Sequence, residues 1–213
     1  MTRSRLRLLL ADDHTIMIEG LTRLLSDDFD LIGVAQTGLE MVEMAKATDP
    51  DLIIADISMP IVNGIDALRR LRMEGMQTKV VFLTMHPDAT FATRALEAGA
   101  SGYVLKHAAS DELIEAIGEA LAGRVFVSPT LRAGALEQLP SPGRGVPPVE
   151  LTQRQREVLQ LLAEGKSARE IGLVLGISPR TAETHKYKMM DALGLATTAE
   201  LVQYAIRHGL VAV

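Results

Sequence analysis

The chain has 213 residues, 47% hydrophobic and 23% charged, with 3% aromatics, no tryptophan and no cysteine. That make-up fits a soluble globular protein with room for two small domains and an aliphatic core, and it excludes a disulfide framework, a thiolate metal site and a thiol nucleophile. The net charge of −5 is uneven: 12 Lys/Arg stand against 19 Asp/Glu over residues 1–124, but 8 against 7 over residues 150–213. The acidity belongs to the first part, and the near-neutral tail gives nucleic-acid binding only weak support from charge alone.

The opening residues carry three arginines and Leu8-Leu9-Leu10, but this apolar run stops at Asp12-Asp13, too soon for a secretory signal core. No stretch has the length of a membrane span, so a cytoplasmic protein without membrane contact is expected. Short apolar runs follow in chain order: Leu6–Ala11, Leu31–Ala35, Leu52–Ala55, Val80–Leu83 and Gly102–Leu105. Between and after them lie amphipathic stretches at Ile16–Leu25, Gly38–Ala47, Gly64–Met73, Ala89–Ala98 and Asp111–Leu121. Continuous apolar runs predict strands buried on both faces. Five strand–helix units in series predict a five-stranded parallel sheet, doubly wound, with helices on both sides. Asp88 and Ser110 stand where helix N-caps are needed.

Residues 125–149 contain five prolines and three glycines and show no period; they read as a linker between a domain at 1–124 and another at 150–213, with a short helical turn near Ala133–Leu139. The last part predicts four helices. Thr152 with Gln155, Ser167 with Glu170 and Thr197 with Glu200 form capping boxes, and Ser178-Pro179 supplies an N-cap followed by proline at the first helical position. Gly165 and Gly176 fall where helices stop. Only Gly176-Ile177-Ser178 separates the second helix from the third, the spacing of a helix-turn-helix.

Three carboxylates end predicted strands: Asp12 and Asp13 after the first and Asp56 after the third. Thr84 ends the fourth and Lys106 follows the fifth. In an open parallel sheet the site lies beyond the carboxyl ends of the strands, so these five residues converge. Three clustered carboxylates call for a cation, and an all-oxygen set suits Mg²⁺. Lys106 and the Thr84 hydroxyl add what a transferring phosphoryl group requires, and Asp56 is the natural nucleophile for an aspartyl-phosphate. His14 and His86 lie nearby and read as helix-start and loop residues rather than ligands.

Asp12-Asp13, the run Asp56-Ile57-Ser58-Met59-Pro60 with Gly64, Leu83-Thr84 and Gly102-Tyr103-Val104-Leu105-Lys106 resemble the receiver signature of response regulators over residues 5–122. The resemblance implies that Asp56 is the phosphoacceptor. It also implies that Asp13, Asp56 and the backbone carbonyl of Ser58 bind Mg²⁺ directly, with Asp12 acting through water. Thr84 and Lys106 would stabilise the phosphoryl group. Thr84 and Tyr103 would form the switch, Thr84 turning toward the phosphate as Tyr103 swings inward. Met85 follows Thr84, where many receivers carry a smaller residue.

In the third helix of the second domain, Ala182, Met189 and Leu193 share a core-facing stripe with His185 beside it, while Glu183, Thr184, Tyr187 and Lys188 face away. The segments Leu151-Thr152, Glu157-Val158-Leu159, Leu162 to Ser167, Glu170-Ile171 and Ser178 to His185 resemble the LuxR-type helix-turn-helix. With the receiver, this resemblance places the chain in the NarL/FixJ subfamily. By position it implies that Glu183, Thr184 and Tyr187 meet base edges in the major groove. Arg180, Lys186 and Lys188 would meet phosphates, with Lys166 and Thr181 as additions. Ala182 stands where a larger apolar residue is usual, and Asp191-Ala192 where basic residues are common. So few cations predict weak binding by a monomer. Leu201, Val202, Ala205 and Ile206 on the last helix are the expected dimer surface, and a homodimer would read two half-sites, inverted or tandem.

The expected function is that of a two-component regulator: a histidine kinase phosphorylates Asp56, which controls dimerisation and DNA binding and thereby transcription. Such a protein catalyses only its own gain and loss of phosphate. The same fold with DNA binding independent of phosphorylation is the alternative. A phosphatase or phosphotransferase would leave residues 150–213 without a role. A ligand-sensing LuxR-type regulator would need a roomy, aromatic-rich pocket.

Overall fold

The computed structural model describes residues 5–108, 110–131, 151–207 and 210–211. They fall into two compact units, one on each side of the boundary between residues 139 and 140.

The first unit alternates strands β1 (Leu6–Ala11), β2 (Phe29–Ala35), β3 (Leu52–Ala55), β4 (Lys79–Thr84) and β5 (Gly102–Leu105) with helices α1 (Thr15–Leu25), α2 (Gly38–Thr48), α3 (Gly64–Met73), α4 (Ala89–Glu97) and α5 (Ser110–Leu121). All strand pairs are parallel, in the order β2-β1-β3-β4-β5-β6. The expected five strands are thus joined by a sixth, β6 (Phe126–Val127), which pairs Phe126 with Gly102 and Val127 with Tyr103. Residues 125–131, read from sequence as the start of the linker, therefore belong to the sheet and its border. A two-residue strand has too few side chains to show a period, and its pairing partner is set by long-range hydrogen bonds that composition does not reveal.

Side chains alternate across the pleat. Leu8, Leu10, Leu52, Ile54, Val81, Leu83 and Val104 pack with Leu21, Leu25, Leu113, Ala116, Ile117 and Phe126 into one continuous core, which places α1 and α5 on that face. The strand residues of opposite parity, including Leu9, Ile53, Val80 and Phe82, are fully buried as well. That is why the strands read as unbroken apolar runs. Asp88 caps α4 by accepting from the Thr90 amide at 2.7 Å. Ser110, expected as an N-cap, lies within α5 itself.

The second unit holds α6 (Gln153–Ala163), α7 (Ala168–Leu175), α8 (Pro179–Leu193) and α9 (Thr198–Arg207). The capping boxes at Thr152/Gln155 and Ser167/Glu170 are formed, and Thr197 and Glu200 exchange backbone-to-side-chain bonds at 3.1 Å. Gly176 ends α7 in the left-handed region at φ 65°, and a Cβ on Gly172 would lie 2.7 Å from the carbonyl oxygen of Ile177. Small residues at both points let α7 and α8 meet through a three-residue turn. Leu151, Val158, Leu159, Leu161, Ile171, Ala182, Met189, Leu201 and Ala205 form its core. The linker from residue 132 to 149, with its suggested turn near Ala133–Leu139, lies outside the described residues.

Candidate phosphoacceptor site and DNA-reading helix

Parallel pairing sets the acidic residues side by side. Ala11 pairs with Ala55, the Asp56 amide donates to the Ala11 carbonyl at 2.8 Å, and the Lys106 amide donates to the Thr84 carbonyl at 2.8 Å. The residues that end adjacent strands therefore share one crevice. Lys106 Nζ lies 2.8 Å from Asp12 Oδ2 and 2.8 Å from Asp56 Oδ2, with the three side chains only 3–5% exposed. Burial pulls the Lys106 ammonium down, but its bonds to Asp12 and Asp56 outweigh that and hold it above the ordinary lysine value. The second Asp56 oxygen accepts from the Ile57 amide at 2.6 Å.

The loop from Asp56 to α3 is held tightly. The Gly64 amide donates to the Ile57 carbonyl at 2.9 Å, and a Cβ at Gly64 would fall 2.1 Å from the Asp56 carbonyl oxygen. Asn63 caps α3 through the Asp66 amide at 2.9 Å. Within the same loop Ile61 adopts φ +72°, a conformation costly for a β-branched residue.

Donor atoms of Asp12, Asp13, His14 and Asp56 lie within 4.8 Å of one another. Two buried carboxylates facing one ammonium, with a third carboxylate beside them, leave uncompensated negative charge, and their oxygens suit a hard divalent cation such as Mg²⁺. His14, expected as a helix-start residue, donates its amide to Asp12 Oδ1 at 2.9 Å. Its ring also engages the site, with Nδ1 3.0 Å from Asp12 and 2.9 Å from Asp13.

Thr84 is fully buried, and its hydroxyl oxygen accepts from the His86 amide at 3.3 Å. Tyr103 is also fully buried and donates its hydroxyl to the His86 carbonyl at 2.9 Å. Its side chain thus points inward, and burial, with Asp88 and Asp56 nearby, pushes its phenol far above the ordinary value. The His86 ring stacks on Phe91 with centroids 4.3 Å apart, and Nε2 lies 2.6 Å from the Ser58 hydroxyl. Burial lowers the His86 pKa, and the opposing pull of Asp56 and Asp88 does not restore it. No sequence signal marks this pairing, because its partners stand 28 residues apart.

In the second unit α8 presents Arg180, Thr181, Thr184, Tyr187 and Lys188 to solvent, with Glu183 and Lys186 half-buried. Ala182 and Met189 are buried as the stripe requires. Thr181 is tied to the Ser178 cap at 2.8 Å, and the Thr184 hydroxyl donates to the Arg180 carbonyl at 2.8 Å. Lys186 lies 2.5 Å from Glu183 and 4.6 Å from the centre of the Tyr187 ring. This links a residue expected at phosphates to two expected at bases. His185 is half-buried, and burial, followed by Arg154 and Lys188, lowers its pKa, which fits packing. Of the four residues expected at a dimer surface, Leu201 and Ala205 are fully buried in this unit's own core. Val202 is half-buried and Ile206 exposed.

Residues 8–118 match the response regulator receiver domain family, and residues 149–205 match the family of bacterial regulatory proteins, luxR family. The transcriptional regulatory protein MctR of Rhizobium johnstonii is 37% identical across 98% of this chain and 97% of its own. The response regulator GacA of Pseudomonas aeruginosa is 31% identical across 97% and 98%. Among solved structures, a LuxR-family two-component response regulator from Aurantimonas is 36% identical over 63% of this chain and 98% of its own, with a TM-score of 0.60. The RcsB response regulator of Salmonella typhimurium is 25% identical over 95% and 98%, also with a TM-score of 0.60. No helix among the described residues is long and apolar enough to cross a membrane. The chain belongs to the two-component response regulators of the NarL/FixJ subfamily, a receiver followed by a LuxR-type helix-turn-helix DNA-binding domain, and regulates transcription.

Proposed function

We propose that Asp56 accepts a phosphoryl group from a partner histidine kinase, in the cytoplasm, and that this controls dimerisation and sequence-specific DNA binding. The observation that carries the reading is the buried Lys106 ammonium, 2.8 Å from both Asp56 and Asp12. An oxygen of Asp56 forms a bond to phosphorus as the bond from phosphorus to the donor's imidazole nitrogen breaks, and the imidazole leaves. Lys106 is placed to follow the growing charge onto the phosphoryl oxygens, and Thr84 can offer its hydroxyl once it releases the His86 amide. Asp13, Asp56 and the Ser58 carbonyl would hold Mg²⁺ directly and Asp12 through water. When bound, the ion supplies charge neutralisation for the transferring group.

The added charge of about −1.5 to −2 draws Thr84 and Lys106, and so acts on the surface around Tyr103. Glu183, Thr184 and Tyr187 read bases, while Arg180, Lys188 and Lys166 position the helix on phosphates. Lys186, expected at a phosphate, is engaged with Glu183 and Tyr187 and supports them. On α9 the pairing surface narrows to Val202 and Ile206. The receiver domain extends through residue 131 rather than 124, because β6 and the buried Leu131 belong to it.

The reading to be tested against it is DNA binding independent of phosphorylation. Sedimentation and DNA titration of wild type and Asp56→Asn, with and without a phosphodonor and Mg²⁺, separate the two. The first predicts that only phosphorylated wild type gains mass as a dimer and affinity for DNA. Equal binding by every sample supports the second.

A further inference from the structure

The outward face of α8 carries an acid where DNA phosphates would favour only cations. Arg180, Glu183, Thr184 and Tyr187 follow one another at helical spacing and share one stripe. Arg180, Thr184 and Tyr187 are exposed, and Glu183 is half-buried. A bare carboxylate brought into a groove walled by phosphates is repelled. Glu183 is not bare. Lys186, one turn on, donates from Nζ to Glu183 Oε2 at 2.5 Å, and the same ammonium lies 4.6 Å from the centre of the Tyr187 ring.

Exposed ion pairs at this spacing usually contribute little, and their lysines remain solvated. Lys186 differs, because its side chain is only 14% exposed. Stem and ammonium lie against the helix between Glu183 and Tyr187, so this lysine does not extend toward a phosphate. Its bond to Oε2 leaves Oε1 of Glu183 to accept from a base. Two bases present an amino donor in the major groove. Adenine's amino group lies beside its N7 acceptor, which repels a carboxylate, whereas cytosine has no acceptor on its own edge.

We propose that Glu183 determines specificity for a cytosine in each half-site, and that Lys186 is its positioning residue. The Lys186 ammonium cancels the carboxylate's charge within the groove and holds Oε1 toward the cytosine amino group. This rests on α8 reading DNA, as proposed above.

The test offers the full chain, with acetyl phosphate and Mg²⁺, a library of duplexes with a random core of about 20 base pairs, room for two half-sites a helical turn apart. Bound duplexes are sequenced, and affinities for one selected and one unselected duplex are measured across salt concentrations. Wild type is expected to enrich a motif with a fixed C·G pair in each half. Glu183→Ala is expected to lose the preference at that pair alone, with about tenfold weaker binding to the selected duplex, and to bind the unselected one at least as well as wild type. Lys186→Met keeps the stem without the charge. It is expected to lose the same preference and about tenfold in affinity, yet to change little once Glu183 is alanine. Its salt slope should stay that of wild type, since no phosphate contact is lost. Lys186→Arg, which restores a cation, is expected to keep the preference.

Thermal melts run alongside; if Lys186→Met does not fold, Lys186→Gln takes its place. A salt slope reduced by about one, with an effect that persists in the Glu183→Ala background, makes Lys186 a phosphate contact and overturns its positioning role. A different base at the affected pair, or a motif that Glu183→Ala leaves intact while Tyr187→Ala alters it, overturns the cytosine assignment and leaves base reading by α8 standing. Equal loss of both duplexes by Glu183→Ala makes that residue structural and overturns the proposal. A wild type that enriches no motif overturns base reading by α8 and the proposal with it.

Discussion

Lys106 places its ammonium 2.8 Å from Asp56, and the same ammonium lies 2.8 Å from Asp12, so one buried cation serves two buried carboxylates. Removing it leaves two like charges facing each other out of water. Lys106→Met is expected to lower stability by about 3 kcal/mol, the usual cost of breaking a buried ion pair. Added Mg²⁺ should restore part of that loss, since the cation takes over the neutralisation. Urea melts with and without Mg²⁺ measure both effects; a variant as stable as wild type in the absence of metal contradicts the geometry.

The loop that carries Asp56 toward α3 contains one residue under strain and one that tolerates no side chain. Ile61 at φ +72° should gain stability on replacement by Asn, which accepts the left-handed region, with relief of about 1 kcal/mol. Gly64→Ala should act in the opposite sense, because its Cβ would sit 2.1 Å from the Asp56 carbonyl oxygen. It should lower stability by about 2 kcal/mol or more, the scale of a backbone clash that forces the loop to shift. It should also slow phosphoryl gain by displacing the acceptor. Denaturant melts and the rate of mass gain read the two.

Ser128 fastens the end of the receiver to the strand carrying Tyr103. Its amide donates to the Tyr103 carbonyl at 3.0 Å, and its hydroxyl accepts from the Leu105 amide at 3.3 Å while donating to Glu112 at 2.6 Å. Ser128→Ala leaves the Leu105 amide without that partner and should cost about 1–3 kcal/mol. A receiver ending at residue 131 should melt higher than one ending at 124, which lacks β6. Equal melting would restore the shorter boundary.

The last helix separates packing from pairing. Leu201 is fully buried, so Leu201→Ala should destabilise the DNA-binding domain by about 2–5 kcal/mol. Ile206 is 44% exposed, so Ile206→Asp should leave the melt nearly unchanged and weaken dimerisation and two-site DNA binding. On α8, Lys188→Ala should reduce the salt dependence of binding by about one unit of slope, as loss of one phosphate contact does. Calorimetry and DNA titrations across salt concentrations measure these.

The legible features were those written in local pattern. Apolar runs gave the five long strands because both sheet faces are covered, and Thr152, Ser167 and Ser178 marked helix starts because a cap requires those residue types. The site was legible because parallel strands end together, so Asp12, Asp56, Thr84 and Lys106 had to converge. What escaped was set by distance. Ser58–His86 and Ser128–Tyr103 join residues far apart in the chain, and no period announces them. On α9 the apolar residues form two adjacent columns, Leu201 with Ala205 and Val202 with Ile206. Periodicity cannot say which column a small domain needs for its own core, and the first column turned out to be that one.

The central claim, that Asp56 accepts the phosphoryl group, is tested most directly by intact-mass measurement of wild type and Asp56→Asn incubated with acetyl phosphate and Mg²⁺. The account predicts a single phosphoryl increment on wild type, reversed with time and lost when Mg²⁺ is chelated, and none on Asp56→Asn. An equal increment on Asp56→Asn, or none on wild type, would contradict it.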